Sequence, residues 1–578
     1  MTTVASLLVT SLADHGVRTV WGVVGDALNP ITDAVRLEKR LRWIDVRHEE
    51  AGAFAAGAQA QLTGTIGVCM GTVGPGAVHL LNGLYDAKKS HAPVLAVCGQ
   101  VPSAELGSDH FQEVDNDAVF RDVAEFCLTV TDPAQLPYLL ELAVNTAYAR
   151  SGVAVLTVPG DIGARPLSAA GPRFIAQRPE TVPTWPLLDQ AAHLLDGAAK
   201  VTMLVGAGAR EAREEVLAVA DALSAPMVLT LQGKEEIEQD NPFQVGQPGP
   251  LGNPAAQHAL DDCDVLLMVG TDFPYRDWYP RGKTVVQIDV EGAHIGRRVP
   301  VDLGLVGDSA ATLEALLPKL TTKPDRDHLA RSHRRYETWR ERQQHLADPD
   351  YEAGMAGRVR RQFDNRARAI RPEVLAAAID RHAKADAVFT SDTGMSTVWF
   401  ARFVTLGGNR RLLGSYNLGS TANALPQALG AAQLDRTRQT IALCGDGGLT
   451  PVMGELLTVV DHDLPVKIVV FNNSRLGMIK QEQEQSGLPE FGTRLKNRDL
   501  AAIARACGLH AVRVERAADV DSAVRDALGH HGPVLLDVVT NADEIALPSA
   551  PTAAQVWGFA RAKAKERIAS AHDGDAAR

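Results

Sequence analysis

Short runs of β-branched and other apolar residues, each ending in glycine or aspartate, recur along the chain. Between them lie alanine- and leucine-rich stretches whose apolar positions return every three to four residues. The first pattern predicts buried strands, the second predicts helices packed on them, and their alternation predicts parallel α/β layers. The runs form three sets. The first is VRTVWGVVGD (17–26), TIGVCMGTVGPG (65–76), PVLAVCGQ (93–100) and VAVLTVPGD (153–161). The second is VTMLVGAGA (201–209), PMVLTL (226–231), DVLLMVGTDF (264–273) and KTVVQIDV (283–290). The third is AVFTSDTG (387–394), TIALCGDGG (440–448), VKIVVFNN (466–473) and PVLLDVVT (533–540). A proline-rich segment, GPRFIAQRPETVPTWP, and an arginine-laden helical stretch from about Asp325 to Arg371 separate the sets and read as connectors. The expected fold is α/β: three doubly wound parallel-sheet domains over 1–180, 181–345 and 346–547, plus a short C-terminal tail, 548–578. No sequence repeat accompanies this threefold layout.

A chain of 578 residues suits several cores, and 45% apolar with 22% charged residues is a globular balance. The net charge of −12 provides no broad cationic surface, which argues against nucleic acid as a partner and favours small molecules. Six cysteines are scattered singly without a CxxC pair, against a disulfide framework or zinc site and in keeping with a reducing cytoplasm. The opening MTTVASLLVTSLADHGV reads as an amphipathic helix rather than a secretion signal, and no apolar run is long enough to span a bilayer.

The most specific motif joins two strand ends. TIALCGDGG stops at Gly445, Asp446, Gly447 and Gly448, and VKIVVFNN ends at Asn473 after one further helix and strand. Neighbouring parallel strands would bring Asp446 and Asn473 together at the edge where doubly wound sheets bind ligands. The glycines admit a phosphate, the following helix points its amino terminus at it, and hard oxygen ligands suit Mg2+. The pairing resembles the fingerprint of thiamine diphosphate enzymes, which implies a metal held by Asp446, Asn473 and the main-chain carbonyl of Arg475.

That resemblance implies further roles. In RHEEAGAFAAGAQAQLTG (47–64), Glu49 would be the carboxyl group that activates the cofactor's pyrimidine ring, with Glu50 a structural or solvent-facing neighbour. A carboxyl group held away from water can share a proton with a ring nitrogen. Gly394, Met395 and Ser396 would form a second diphosphate loop. Gly419 would offer its carbonyl to the pyrimidine amino group, and Thr421 falls where the family usually has an apolar prop under the cofactor.

In the middle set, VGAGAR has only GxG without the third glycine, so a nicotinamide site is weakly supported. The runs LQGKEEIEQDNPFQVGQPGPLG, VGTDFPYRDWYP, VVQIDVEGAHIG and LVGD instead resemble the FAD domain of pyruvate:quinone oxidoreductases and pyruvate oxidases. The resemblance, which covers nearly the whole chain, implies that Gly206, Gly208, Gly233, Lys234, Thr271, Phe273, Arg276, Asp289 and Asp308 line a flavin. A surface salt bridge is the alternative for Arg276. The three domains would then bind pyrimidine, FAD and diphosphate in turn.

On the substrate side, Asp26, His110, Phe111 and Gln112 resemble the family's substrate loops. In FNNSRLGMIKQEQEQ, Met478 replaces the phenylalanine usual in pyruvate oxidases, and Glu482 stands where acetolactate synthases carry a selecting tryptophan. The expected activity is oxidative decarboxylation of pyruvate to acetate and CO2, with electrons passed through FAD to a quinone or oxygen. Alternatives are an acetolactate synthase-like carboligase with structural FAD, and a catalytically inert cofactor-binding protein. The resemblance also implies a homo-oligomer, at least a dimer and usually a tetramer. Quinone use would imply peripheral contact with the inner face of the cell membrane. Val556, Trp557, Phe559 and Ile568 beside Arg561, Lys563, Lys565 and Arg567 would supply an interfacial helix, against the alternative of a tail packed over the active-site entrance.

Overall fold

The computed structural model describes residues 2–176, 180–351, 368–544 and 557–563, with positions 355, 357, 358, 365, 546, 548, 549, 555 and 565. It contains three sheets, and every strand pair in them is parallel. In the first, β1 (Thr19–Gly22), β2 (Arg42–Asp45), β3 (Gly67–Gly71), β4 (Val94–Gln100), β5 (Ala124–Thr129) and β6 (Val153–Pro159) lie in the order β2-β1-β3-β4-β6-β5. The second has β7 (Val201–Val205), β8 (Met227–Leu229), β9 (Val265–Val269), β10 (Thr284–Asp289) and β11 (Leu303–Val306) in the order β11-β10-β9-β7-β8. The third has β12 (Val388–Ser391), β13 (Arg411–Gly414), β14 (Thr440–Gly445), β15 (Val466–Asn472), β16 (His510–Val514) and β17 (Val534–Val539) in the order β13-β12-β14-β15-β17-β16. The first and third sheets thus share one topology without a sequence repeat.

Each sheet reverses its winding at one place that matters for ligands. The chain leaves β1 for β2 on one side and returns to β3 on the other, and it does the same at β7/β9 and β12/β14. Outside the carboxyl ends of such strand pairs a crevice opens, because the connections that follow the two strands depart in opposite directions.

The helix Glu49–Thr63 is unusually buried, from Ala51 through Ala60, because it has neighbours on every side. Its alanines and glycines let the helix Ala424–Leu434 approach closely, and Gln59 Nε2 donates to the Gly430 carbonyl at 3.2 Å. One apolar cluster accordingly includes Trp21, Ala55 and Leu84 of the first sheet's layers with Leu425, Leu429 and Ile468 of the third's. The first and third sheets share a core, so the amino end of Glu49–Thr63 is fixed relative to both. All six cysteines are free thiols, four of them buried. Among the described residues, no helix is long and apolar enough to cross a membrane.

In the tail, the Lys563 ammonium donates to Glu484 Oε1 at 2.7 Å and Lys565 Nζ donates to the Gly487 carbonyl at 3.0 Å. These contacts seat the described tail on the end of the helix Gly477–Gln485, while Trp557 remains 71% exposed. Val556, Arg567 and Ile568 lie outside the described residues.

Candidate active site

The third sheet's crevice gathers three of the expected segments. β12 runs into Asp392, whose buried carboxylate accepts the N–H of Gly445 at 3.1 Å and of Ala424 at 2.9 Å. This ties the loop carrying Gly394, Met395 and Ser396 to the start of the Gly445–Gly448 turn. Burial pushes the Asp392 carboxyl up to about 7 against those two hydrogen bonds. Asp446 follows β14 and is buried; its Oδ2 accepts from Asn497 Nδ2 at 2.5 Å. Burial pushes Asp446 up to about 6, opposed by Asn497 and by the backbone at Gly447 and Asn473. The last of these contacts brings Asp446 and Asn473 together, as adjacent β14 and β15 require. Asn473 Oδ1 in turn accepts the N–H of Arg475 at 2.9 Å.

Gly477 shows how tightly this corner is packed. A methyl group there would stand 2.8 Å from Asn473 Nδ2 and 2.9 Å from Met395 Cγ, so one of these side chains would have to shift to admit it. Asp446 has no cation paired with it among the described residues, and with the Asn473 amide oxygen and the Arg475 carbonyl it would offer an all-oxygen donor set of the kind that fits Mg2+. The Arg475 guanidinium itself turns away, pairing with Glu490 at 2.7 Å.

The first sheet's crevice holds the other acid. Glu49 opens the helix Glu49–Thr63, is 7% exposed, and has His79 Nδ1 at 2.9 Å from its Oε2. The His79 ring stacks on that of His48 with centroids 4.4 Å apart. The turn Gly74–Gly76 passes between Gln112 and Glu49: a methyl on Gly74 would meet the Gln112 carbonyl at 2.8 Å, and one on Gly76 would meet Glu49 Oε1 at 3.1 Å. Gln112 is thus beside the Glu49 crevice, and its neighbour Phe111 is 81% exposed. Asp26 is exposed, accepts the Ala27 N–H at 2.8 Å, and follows β1 across from Thr72, whose buried hydroxyl has no partner among the described residues. His110 lies 3.7 Å from Glu105 and Glu50 accepts from Asn82 at 2.6 Å, so neither competes with Glu49 for His79. Asn82 also donates to Ser420 Oγ at 3.0 Å, which brings the Gly419–Thr421 turn against the first domain; Thr421 is exposed. Among the described residues no hydrogen bond or ion pair joins Glu49 to Asp446, Asn473 or Arg475 within one protomer.

Around the middle sheet, the glycine-rich ends of β7 and β9 lock onto each other, with the Gly208 N–H donating to the Gly270 carbonyl at 2.9 Å. Gly206, Gly208, Gly233, Thr271, Phe273, Asp289 and Asp308 all follow strand ends, so they share the carboxyl edge where a nucleotide would fit. Burial raises the Asp289 carboxyl, which accepts the Glu291 N–H at 3.0 Å. Three of the expected residues are engaged within the protein. Lys234 is 2% exposed and its ammonium donates to the carbonyls of Ala401 and Val404 at 3.0 and 2.7 Å, capping a helix of the third domain. Asp308 caps the helix Ser309–Leu316 by accepting from Ala310 and Ala311. Arg276 donates to the Arg297 carbonyl at 2.8 Å, in place of a salt bridge. The aromatic pair Phe273 and Tyr275 meets edge to face at 5.4 Å.

Several contributors carry no motif. Glu455, nine residues beyond Asp446, is 1% exposed, and its Oε1 accepts the backbone N–H groups of Arg47 and His48, each at 3.0 Å. Asp392, Thr72 and Asn497 are the others.

Family models match the chain in three parts: thiamine pyrophosphate enzyme, N-terminal TPP binding domain over residues 2–119; central domain over 188–316; and C-terminal TPP binding domain over 392–538. The chain belongs to the thiamine pyrophosphate enzymes. It is similar to the thiamine pyrophosphate-containing protein YdaP of Bacillus subtilis, with 38% identity across 95% of this chain and 93% of the relative. It is also similar to the pyruvate oxidase of Lactiplantibacillus plantarum, 32% identical across 91% and 87% of the two chains. The acetolactate synthase large subunit of Corynebacterium glutamicum is 30% identical across 96% and 87%. As a thiamine pyrophosphate enzyme, the protein brings Asp446 and Asn473 together in one crevice and presents a buried glutamate in another.

Proposed function

We propose that the enzyme oxidatively decarboxylates pyruvate, or another small 2-oxo acid. With pyruvate and one water it yields acetate, CO2, two protons and two electrons, the electrons leaving through FAD to a quinone or oxygen. In this reading residues 1–180 serve the pyrimidine, 181–345 the FAD, 346–547 the diphosphate and Mg2+, and 548–578 form a tail. Thiamine diphosphate would supply the nucleophilic carbon and the electron sink for carboxylate loss, and FAD the two-electron acceptor. Asp446, Asn473 and the Arg475 carbonyl hold the metal; Gly394, Met395, Ser396 and Gly445–Gly448 cradle the phosphates.

Glu49, 7% exposed and 2.9 Å from His79 Nδ1, would share a proton with the pyrimidine ring. Asp26 and His110 are positioned to move protons at the substrate side, and Phe111 and Gln112 to orient the oxo acid. We read Glu49 of one subunit and the Asp446 set of its neighbour as serving the same cofactor, so a dimer is the least catalytic unit.

The observation that carries the oxidative reading is the helix Gly477–Gln485. It starts beside Asn473, carries Met478 and Glu482, and its Glu482 carboxylate adds to burial in raising the Tyr275 phenol. Tyr275 packs on Phe273 at the flavin edge of the middle sheet. Met478 of this helix and Leu231 and Leu251 of the middle domain also pack against one apolar core. The helix thus lies near both the diphosphate crevice and the candidate flavin site, an arrangement that would suit electron transfer between two cofactors. Met478 favours a second reading, a carboligase of the acetolactate synthase kind. Anaerobic mixing with pyruvate separates them: the oxidase bleaches its flavin stoichiometrically, the ligase accumulates acetolactate, and an inert protein does neither.

A further inference from the structure

The long helix Asp327–Leu346, which joins the second and third sheets, packs along the helix Pro254–Asp262 and leaves a groove of about 390 Å³ between them. Arg331, Arg334, Arg335 and Arg342 line it from the first helix, His258 from the second, and Trp339 forms part of the wall. The four arginines recur at spacings of three, one and seven residues, which puts them on one face of the helix. Arg335 is paired with Asp262 at 3.1 Å. Arg331, Arg334 and Arg342 have no carboxylate partner among the described residues, and all three are exposed. The amino end of the helix Pro254–Asp262 opens into the same groove, adding the positive end of its dipole.

Such a concentration of unpaired guanidinium groups is unexpected on a chain with a net charge of −12. Like charges at this spacing repel, and the helix's own glutamates, Glu337 and Glu341, are not among the residues that line the groove. Guanidinium groups gathered along one groove match the paired oxygens of phosphates, and the volume is within the range of small-ligand pockets. Trp339 already stacks on Tyr336, with ring centroids 5.9 Å apart and planes at 19°, so its indole is held as a fixed platform at the groove wall. None of the side chains assigned above to the three cofactors lines the groove.

We propose that this groove binds a diphosphate-bearing small molecule, with a nucleoside diphosphate the form that uses Trp339 as well. The test titrates ADP, and separately inorganic pyrophosphate, into the full-length enzyme saturated with thiamine diphosphate, Mg2+ and FAD, by calorimetry at low and moderate salt. Saturable binding of one equivalent per chain is expected, weakening as salt rises. The double variant Arg334→Gln/Arg342→Gln should raise the Kd at least about tenfold, since each removes charged hydrogen bonds to phosphate, while turnover of pyruvate is unchanged. A fluorescence response to ADP that disappears in Trp339→Phe assigns a nucleoside. Equal affinity for both probes without that response assigns the bare diphosphate. The proposal is overturned if neither probe binds saturably up to several millimolar, or if the double variant binds as the wild type does.

Discussion

The carboxylate of Glu455 accepts the backbone N–H of His48 at 3.0 Å, one residue before Glu49. Its Oε2 accepts the Thr458 hydroxyl at 2.7 Å, so an acid from the third domain is fully occupied in holding the strand end of the first. Glu455 is a positioning residue: it touches no expected substrate or cofactor atom, yet it fixes the backbone from which Glu49 projects.

Replacing Glu455 by alanine removes the acceptor of two part-buried backbone N–H groups, those of Arg47 and His48, a cost of about 0.5–1.5 kcal/mol for each. Glutamine keeps one oxygen for both. We expect Glu455→Ala to lower kcat/KM for the 2-oxo acid about 10- to 100-fold and Glu455→Gln to retain most of it. Steady-state kinetics of the two variants, with circular dichroism to verify folding, is the check. Equal losses in both would deny the positioning role.

Gly477→Ala isolates the metal corner. Alanine should strengthen the helix Gly477–Gln485 by about 0.5–1 kcal/mol if nothing opposed it. The added methyl must instead displace Asn473 Nδ2 or Met395. Melting temperature should change little, and the Mg2+ concentration needed for half-maximal activity should rise at least about tenfold, as loss of one well-placed ligand group implies. A Mg2+ titration identical to wild type would place Asn473 outside the metal site.

Asp86 makes stability depend on pH. It is 2% exposed where the first and third domains share a core, accepts from Gln427 Nε2 at 3.0 Å, and burial pushes it up to about 7. Its folded pKa lies above the unfolded value, so between about pH 4 and 7 the folded state binds more protons. The contribution of Asp86 is therefore fully present at the acid end and is lost as pH rises through 7. Asp86→Asn, which stays neutral and still accepts from Gln427, should show a smaller fall in melting temperature from pH 5.5 to 8 than the wild type. Parallel pH profiles for the two proteins would contradict this.

The fold was largely legible because the central strands are continuous apolar runs that end in small residues. Four strands escaped the pattern: β2, β5, β13 and β16, and each lies at a sheet edge. There one face or one end meets water, so polar residues interrupt the run, as in RWID of β2 and HAVRV of β16. The adjacency of Asp446 and Asn473 was legible because adjacent parallel strands must align their ends. Glu455 and Asp86 were not, since each is an acid on a helix whose burial depends on what a distant segment brings against it. Lys234 shows the converse: its position in a familiar run suggested a ligand, but the packing of the third domain decides where its ammonium goes.

The central claim is that Glu49 supplies the proton-sharing carboxyl group on which turnover depends. The most direct measurement is the rate at which bound flavin bleaches on anaerobic mixing with pyruvate, Glu49→Gln against wild type, both loaded with thiamine diphosphate, Mg2+ and FAD. The account predicts stoichiometric bleaching in the wild type and a rate lower by roughly 10²–10⁴-fold in the variant, the range for loss of a general acid–base group. Bleaching at the wild-type rate in Glu49→Gln would contradict it.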